Sequence, residues 1–209
     1  MRKINPEKDT LIGIHGPLES GKDTVAQTII EVFPTFYKQY AFAWPIKKAC
    51  QVMFGFTEAD MNDRTLKERT HPVWGITPRK AMQLLGTEYG RNMINVNMWV
   101  MRAMVEINKN SEDGYGTIIS DVRFDNEAEI IRERNGIIIH IDRPDLDKSK
   151  ENYNHSSEMG IKREPSDIII DNSGSLLEFR AKILDIFQED TSWVMGAAYK
   201  YAEHMKSEA

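Results

Sequence analysis

The chain's length, composition and charge restrict the classes of protein to which it can belong. It has 209 residues, of which 41% are apolar and 28% charged, as expected of a soluble globular chain with one sizeable core. The net charge of −5 argues against general DNA or RNA binding, because such proteins are usually basic. Anionic small molecules remain candidate ligands if local lysines and arginines hold them.

Cysteine content and hydropathy indicate the compartment. Cys50 is the single cysteine, which excludes an intrachain disulfide and favours a reducing cytoplasm. It lies in the apolar helical run "IKKACQVMF", so we expect it to pack in a core. No run of 18 apolar residues and no signal-peptide core occur, so we expect no membrane association.

Predicted strands and helices alternate along the chain. Short apolar runs predict five strands, and apolar residues at helical spacing predict six helices between and after them. The strands are predicted at 11–16, 37–43, 115–122, 137–144 and 167–172. The helices are predicted at 22–33, 45–55, 78–91, 97–110, 126–136 and 175–187. We expect irregular polar structure at 56–76, a long polar loop at 145–165 and a short helix in the tail 191–209.

Residues at the helix ends support these boundaries. Pro45 is expected at the first position of its helix, with Gly55 at the end. Thr77 is expected to cap the helix that begins at Pro78. The pairs Asn126/Glu129 and Ser175/Glu178 have capping-box spacing for the last two helices. On the helix at 97–110 the expected buried face consists of Val100, Ala103, Met104 and Ile107.

This alternation predicts an α/β fold with a parallel sheet and right-handed crossovers. Strands such as "IIIHI" are apolar throughout, which is typical of a sheet covered by helices on both faces. Ligands of such sheets bind at the carboxyl ends of the strands. Three polar segments follow strands there: the loop after the first strand, "SDVR" after the third and "DRP" after the fourth.

The loop after the first strand resembles a phosphate-binding loop. Gly16, Gly21 and Lys22 fit G-x-x-x-x-G-K, between a predicted strand and a predicted helix as the mechanism requires. Glycines let backbone N–H groups approach phosphate, the helix N-terminus adds positive potential, and Lys22 can reach the outer phosphates. The next position usually holds a hydroxyl residue but here is Asp23, with Thr24 one place later. Either could bind Mg²⁺, or Asp23 could be a favourable charge in the first helical turn.

Other motifs discriminate between classes of nucleotide protein. The guanine motif N-K-x-D is absent, since "NKNS" at 108–111 lacks the aspartate. The third strand ends in Asp121 followed by Arg123, not in the acidic pair of motor-type ATPases. A carboxylate beside an arginine that can bridge phosphates suits phosphoryl transfer to a small molecule.

Seven segments, in order, resemble the bacteriophage type of deoxynucleoside monophosphate kinase from about Leu11 to Phe187. They are "SGKDT", "AFAWPIKKA", "RKAMQLLGTEYGR", "MWV", "SDVRFDNEAEII", "IHIDRP" and "NHSSEMGI". The resemblance implies a single P-loop kinase domain over 1–209, with a five-stranded parallel sheet and a helical acceptor-binding insertion at about 45–110. It also implies phosphate transfer from ATP to a deoxynucleoside monophosphate with Mg²⁺, in the host cytoplasm if the chain is viral.

The resemblance implies roles for individual residues, with Lys22, Asp121 and Arg123 as the catalytic ones. For ATP binding it implies Gly16, Glu19, Ser20, Gly21, Lys22, Asp23, Thr24, Val25, Arg123, Glu127 and Arg143. For the acceptor it implies Lys47, Arg79, Gly86, Thr87, Trp99 and Asp121, and for the metal Asp23 and Thr24. Some relatives carry basic residues in the loop where this chain has Glu19. Positive charge must then come from elsewhere, with Arg123, Arg132 or Arg143 as candidates.

Several alternatives stay open from the residues alone. Lys47, Arg79 and Arg91 could each be a solvated helix charge, and Trp99 could stack on a base or pack in the core. His15 and His140 are expected to be satisfied core residues, and His155 an ordinary loop residue. The alternative functions are a phosphomevalonate or dephospho-coenzyme A kinase, or a nucleotide-binding switch without an acceptor. We expect small-molecule nucleotides as partners; a homodimer remains open.

Overall fold

A computed structural model describes residues 3–145 and 160–187. The expectations for His155 and for the tail 191–209 lie outside these residues. The chain divides into two compact units. The first, which we call the sheet unit, comprises Met1–Tyr40 and Glu106–Ala209, and the second, the helical unit, comprises Ala41–Val105.

The sheet unit contains five parallel strands in the order β2-β3-β1-β4-β5, which confirms the predicted fold class. The strands are β1 (Leu11–His15), β2 (Tyr37–Tyr40), β3 (Gly116–Val122), β4 (Ile137–Asp142) and β5 (Ile168–Asp171). Nearly every residue of β3 and β4 is buried, because helices cover both faces of a parallel sheet. The isoleucines of β4, and the shorter pair Ile118–Ile119 in β3, are therefore the signal that made these strands predictable.

Helices occupy the connections and the helical unit. They are α1 (Lys22–Val32), α2 (Ala43–Phe54), α3 (Glu58–Asn62), α4 (Arg64–Glu68), α5 (Pro78–Gln83), a π-helix (Leu84–Ile94), α6 (Met98–Glu112), α7 (Asp125–Glu133) and α8 (Leu176–Asp185). Helix α1 ends before Pro34 as predicted, and Val25 and Ile29 on its inner face lie in the main core with Phe179 of α8. On α6, Val100, Ala103 and Ile107 are buried as predicted, and Met104 is half-buried.

Strand register places the three polar segments at one edge of the sheet. His15, the last residue of β1, is level with Val122 of β3 and His140 of β4. The loop after β1, Arg123 after β3 and Arg143 after β4 therefore all follow the carboxyl ends of adjacent strands. This is the edge at which parallel α/β sheets bind ligands.

Two predicted boundaries in the helical unit are wrong. The second strand ends at Tyr40, not at residue 43, and α2 begins at Ala43 so that Pro45 is its third residue. Proline is tolerated there because the first-turn N–H groups have no partner within the helix. The predicted end is confirmed: Gly55 has φ 68° and its N–H donates to the carbonyl of Gln51 at 3.0 Å.

The segment 56–76 was predicted to be irregular throughout, but it contains the helices α3 and α4. Thr57 and Asp60 form a capping box at the start of α3, and the carboxylate of Asp63 accepts from two amides at the start of α4. These helices have only five residues each, too few for an apolar periodicity to be visible. The spacing of Thr57 and Asp60 was the available signal.

The helix predicted at 78–91 is in fact α5 followed by the π-helix. Thr77 caps α5 as predicted, since its hydroxyl accepts from the Lys80 amide at 3.1 Å. From Leu84 onward the hydrogen bonds change to the i→i+5 pattern of a π-helix. Residue types do not signal this change, because Leu84–Ile94 has the composition of an ordinary helix.

The predicted capping pair Asn126/Glu129 is also wrong, because α7 begins at Asp125 and Asn126 is already inside it. Glu127 takes the capping role instead, accepting from the amides of Arg123 at 2.7 Å and Phe124 at 3.2 Å. The Ser175/Glu178 capping box on α8 is confirmed.

The helical unit has its own small core. Cys50, Phe56, Met61 and Ala81 are buried together, with neighbouring apolar residues of α2 and α5 packed around them. Burial raises the pKa of the Cys50 thiol to about 11. The cysteine is therefore a packing residue, as predicted, and not a nucleophile.

Candidate functional site

The loop between β1 and α1 is tightly curled. Glu19 and Gly21 both have left-handed backbone conformations, with φ of 66° and 104°. A Cβ on Gly16 would lie 2.5 Å from the Ser20 hydroxyl, and one on Gly21 would lie 2.9 Å from both the Asn172 amide nitrogen and the Phe179 ring. A side chain at either position would clash with these neighbours, so both positions require glycine. Gly21 also has no side chain to cap α1, which leaves the first N–H groups of the helix for a ligand.

Two side chains from the ends of neighbouring strands anchor this loop. Asn172, after β5, donates from its amide to the Ser20 carbonyl at 2.8 Å. Arg143, after β4, donates to the Glu19 carbonyl at 2.8 Å. Arg143 was predicted from the resemblance, whereas Asn172 was not, and its position directly after an apolar strand was the only signal for it.

Lys22 lies over the loop that precedes it. Its ammonium donates to the carbonyls of Gly16 at 2.7 Å and Pro17 at 2.6 Å, and the side chain is half-buried. An ammonium group has three donors, and these two contacts hold it against the backbone of the loop.

The other loop residues have different surroundings. Asp23 is exposed in the first turn of α1 and Thr24 is half-buried beside it, whereas Val25 belongs to the main core. Because its side chain is buried in the core, Val25 can contact a nucleotide only through its backbone. Ser20 is fully buried, and its hydroxyl has no hydrogen-bond partner within the described residues.

At the end of β3, Asp121 and Arg123 are half-buried, and Glu127 is only 2% exposed. The Glu127 carboxylate accepts from the backbone amides of Arg123 and Phe124, so it fixes the turn that carries Arg123. The structure therefore gives Glu127 a backbone-holding position, which differs from the ATP contact that the resemblance implies.

A chain of buried polar side chains lies beside the loop. His15 Nδ1 is 2.9 Å from the Val122 carbonyl, and the His15 ring meets the His140 ring edge-on at 5.2 Å. His140 Nε2 lies 2.9 Å from Asp167 Oδ2, which also accepts from Arg132 at 2.6 Å. Each histidine has a hydrogen-bond partner, but His15 is only half-buried and Nδ1 of buried His140 has no partner within the described residues, so the prediction of satisfied core residues is confirmed only in part. Arg132 is committed to Asp167, so it is a poor candidate for the missing positive charge of the loop.

Burial and hydrogen bonds determine the protonation states of His15, His140 and Asp167. Burial lowers the pKa of His15 to about 4, helped by the nearby charges of Lys22 and Arg123, and it also lowers the pKa of His140. For Asp167, burial alone would raise the pKa, but hydrogen bonds from Arg132, the Glu164 amide and His140 outweigh it and lower the pKa. Both rings are consequently neutral at pH 7, opposite an ionised Asp167.

In the helical unit, the two cations expected to bind the acceptor have partners of their own. Lys47 on α2 donates to the side-chain oxygen of Asn62 at 2.7 Å. Arg79 on α5 forms an ion pair with Glu68 at the end of α4, and its side chain is 18% exposed. These contacts tie α3 and α4 to the longer helices. An anion that binds either cation must share it with these partners or displace them.

Three more residues assigned to the acceptor surround the π-helix. Trp99 is 6% exposed, and its indole N–H donates to the Gly86 carbonyl at 2.7 Å, which favours the core-packing alternative. A Cβ on Gly86 would lie 2.9 Å from the Ile46 side chain, so this glycine is required by packing. Thr87 is half-buried on the same helix. Arg91, expected to be solvated, is instead buried and donates to the Val96 carbonyl at 3.1 Å.

Comparison with known proteins decides the family. Residues 53–183 match the family model described as deoxynucleotide monophosphate kinase, which is more than half of the chain. This chain belongs to the deoxynucleotide monophosphate kinase family. A putative deoxynucleotide monophosphate kinase of Acanthamoeba polyphaga mimivirus is 32% identical over 191 residues, covering 83% of this chain and 94% of that protein. The deoxynucleoside-5'-monophosphate kinase of Escherichia phage T5 is 29% identical, covering 72% of this chain and 84% of that one.

Among solved structures, the dephospho-CoA kinase from Campylobacter jejuni is similar at a TM-score of 0.43 with 12% identity, covering 85% of this chain and 95% of that one. Membership of the deoxynucleotide monophosphate kinase family confirms the predicted resemblance and the enzyme class, a phosphotransferase. The alternative of a nucleotide-binding switch without an acceptor is thereby excluded.

The described residues contain neither a membrane-spanning helix nor a side-chain cluster of the kind that binds metals. Across residues 3–145 and 160–187, no helix is both long and apolar enough to span a bilayer. Within the same ranges, no three side chains of His, Cys, Asp or Glu converge on a position where they could bind a metal ion by themselves.

Proposed function

We propose that this chain transfers the terminal phosphoryl group of ATP to the 5'-phosphate of a deoxynucleoside monophosphate, giving a diphosphate and ADP. Family membership supports the class of acceptor. The single observation that carries the proposal is the loop at 16–21, where Lys22 lies over the loop carbonyls at the uncapped start of α1. Both features favour a bound polyphosphate.

The loop would hold ATP through its own backbone. Residues 19–25 would surround the phosphates, with N–H groups of this segment as donors other than those of Ser20 and Val25, which donate to the Pro17 and Gly21 carbonyls. Lys22 would exchange its two carbonyl acceptors for phosphate oxygens. This exchange strengthens as negative charge develops on the transferring group, so it favours the transition state over the ground state. Arg143, which already holds the Glu19 carbonyl, is the nearest basic side chain from β4 and would supply charge that the loop itself lacks.

The residues at the start of α1 fit a magnesium ion. Asp23 offers an exposed carboxylate and Thr24 a hydroxyl, and Mg²⁺ prefers such oxygen ligands together with waters and phosphates. Asp23 would bind the ion directly or through water, with Thr24 as the competing ligand. When bound, the ion neutralises phosphate charge; the chain's part is to orient these oxygens.

The acceptor would be bound by the helical unit. Arg79 would hold its phosphate as a bidentate fork, Lys47 would add a second positive charge, and Gly86 and Thr87 would line the nucleoside. Asp121 and Arg123 would act where the phosphoryl group is transferred, with Arg123 neutralising charge on the three oxygens of that group. Catalysis then consists of positioning and charge neutralisation of an in-line attack by an acceptor phosphate oxygen on the terminal phosphorus of ATP.

The whole chain, 1–209, is proposed to act as one kinase domain, working in the cytoplasm where its nucleotides occur. Preference for deoxy over ribo acceptors would come from a wall too close for the 2'-hydroxyl. An apolar wall discriminates against one hydroxyl by only about 100-fold, so slow turnover of ribonucleotides is expected.

A coupled assay of ADP release tests the proposal. The panel contains the common deoxy- and ribonucleoside monophosphates, phosphomevalonate, dephospho-coenzyme A and a reaction without acceptor. We expect turnover of at least one deoxynucleoside monophosphate and no ATP hydrolysis above background without acceptor. Turnover of phosphomevalonate or dephospho-coenzyme A with none of the deoxynucleotides would reject the proposed acceptor.

A further inference from the structure

The π-helix Leu84–Ile94 is the most unusual element of the helical unit. It has eleven residues, whereas π-helical bonding is rare in proteins and mostly limited to single turns, which often occur at functional sites. The same i→i+5 register continues at its end, where the Asn95 amide donates to the Gly90 carbonyl at 3.0 Å. A segment of this length needs contacts from outside itself, because no residue propensity favours it.

Trp99 supplies the main contacts of this kind. Its indole N–H donates to the Gly86 carbonyl at 2.7 Å, so a side chain provides a hydrogen bond to the backbone of the π-helix. Its ring lies against Gly90, where an added Cβ would be 2.7 Å from Cζ2 and 2.9 Å from Nε1. One side chain therefore contacts the π-helix at two glycines that are four residues apart.

Two other contacts hold the same element. Ile46 packs against Gly86 so closely that a Cβ there would lie 2.9 Å from its Cδ1. Arg91, itself buried, donates to the Val96 carbonyl at 3.1 Å and so ties the end of the π-helix to the turn before Trp99. The carbonyl of Gly86 is thus held by Trp99 from one direction while its α-carbon is held by Ile46.

We propose that Trp99 is a positioning residue for the acceptor: by holding the Gly86 carbonyl and the face of Gly90, it sets the place of Gly86 and Thr87. It does not stack on the base. The indole N–H is already used, and a side chain only 6% exposed has little ring surface to offer a nucleobase. Its influence on acceptor binding is consequently the same for every base. This inference rests on the proposed function, in which Gly86 and Thr87 line the nucleoside.

The first test is Trp99→Phe, which keeps an aromatic ring and removes the N–H donor. We expect the acceptor KM to rise about tenfold, equivalent to about 1.4 kcal/mol, by the same factor for each deoxynucleotide that the wild type phosphorylates. The KM for ATP should stay within about twofold. Amide hydrogen exchange of the segment 84–94, which does not depend on activity, should become faster.

Trp74→Phe is the matched control. Trp74 lies in the same unit and also donates from its indole N–H to a backbone carbonyl, that of Phe54 at 2.8 Å, but not to the π-helix. The control should leave the acceptor KM and the exchange of 84–94 unchanged. If both variants raise the acceptor KM equally, Trp99 is merely structural and the inference is wrong.

Gly90→Ala gives a second route if Trp99→Phe does not fold at the assay temperature. The new methyl group must displace the Trp99 ring, so the acceptor KM should rise as it does in Trp99→Phe. Because the two changes act on one contact, the double variant should show less than the product of the single effects. Fully multiplicative effects would contradict a shared contact.

The base panel separates this inference from the function on which it rests. A wild type that phosphorylates no deoxynucleotide refutes the proposed function. An active wild type whose Trp99→Phe variant loses turnover of one base while others are unaffected refutes only the positioning role, because it indicates base stacking.

Discussion

The charge of Lys22 should matter far more to the rate than to the fold. Lys22→Met removes the ammonium and keeps most of the aliphatic stem, so the lost interactions include the hydrogen bonds to the Gly16 and Pro17 carbonyls. A bond to a charged group contributes about 1.5–3 kcal/mol, but water can replace the donor at this half-buried site. We therefore expect the free energy of unfolding to fall by only about 1–2 kcal/mol. Loss of a preorganised transition-state donor typically costs about 100-fold or more in kcat.

The comparison needs two measurements and a control. Steady-state kinetics with saturating ATP and acceptor give kcat, and urea unfolding gives the free energy. Lys182→Met is the control, because Lys182 also donates to a backbone carbonyl, that of Asp171 at 3.0 Å, and lies outside the proposed site. It should leave kcat within about twofold. A loss of less than tenfold in folded Lys22→Met would refute the role of Lys22 in phosphoryl transfer.

Four further predictions follow from the site and its surroundings. Asp23→Ala should raise the Mg²⁺ concentration for half-maximal rate several-fold; an unchanged Mg²⁺ dependence with lower stability would make Asp23 only a first-turn charge. Arg79→Lys should raise the acceptor KM about tenfold with the ATP KM little changed, because lysine cannot reproduce the guanidinium fork; equal effects on both substrates would argue against a specific acceptor contact. Gly21→Ala should lower the free energy of unfolding by roughly 2–4 kcal/mol, since its Cβ meets Phe179, whereas Gly114→Ala, also at positive φ but facing open space, should cost only about 1 kcal/mol. The pKa of His15 is lowered from 6.5 to about 4, so the unfolded chain takes up the proton first as pH falls. The free energy of unfolding should therefore drop by up to about 3 kcal/mol between about pH 6.5 and 4. In denaturation measured across this pH range, His15→Gln should reduce the dependence of the free energy of unfolding on pH.

The parts of the fold that could be predicted are those in which local sequence and tertiary structure agree. Strand β4 is buried along nearly its whole length and appears as the isoleucine-rich run "IIIHI", and β3 contains the apolar pair Ile118–Ile119 between small polar residues that are also buried. Ser175 and Thr77 cap their helices through contacts only three residues away, which spacing alone reveals. The loop at 16–21 was recognisable from the spacing of Gly16, Gly21 and Lys22 between a strand and a helix, although the side chains that require glycine at Gly21 are distant in sequence.

The parts that could not be predicted depend on contacts between residues distant in sequence. The π-helix is contacted at Gly86 and Gly90 by Trp99 and Ile46, which lie outside it. Asn172 holds the Ser20 carbonyl across 152 residues, and no local pattern indicates that partnership. The backbone contacts of Glu127 were not predicted either: its carboxylate accepts from the Arg123 and Phe124 amides, and its assignment to the ATP site stays a prediction.

The lysines and the arginine of the proposed site already have hydrogen-bond partners, which affects how strongly they would stabilise the transition state relative to the bound substrates. Lys22 donates to two loop carbonyls, Lys47 donates to Asn62, and Arg79 pairs with Glu68. If these cations bind phosphate as proposed, each must share or exchange these partners, so its net contribution to ground-state affinity is reduced by the contacts given up. The contacts given up are the same whether the ligand is the ground state or the transition state, while the attraction to phosphate grows as charge accumulates on the transferring group. In such a site the electrostatic interactions stabilise the transition state more than the ground state. We therefore expect substitutions of Lys22 to change kcat more than the KM for ATP.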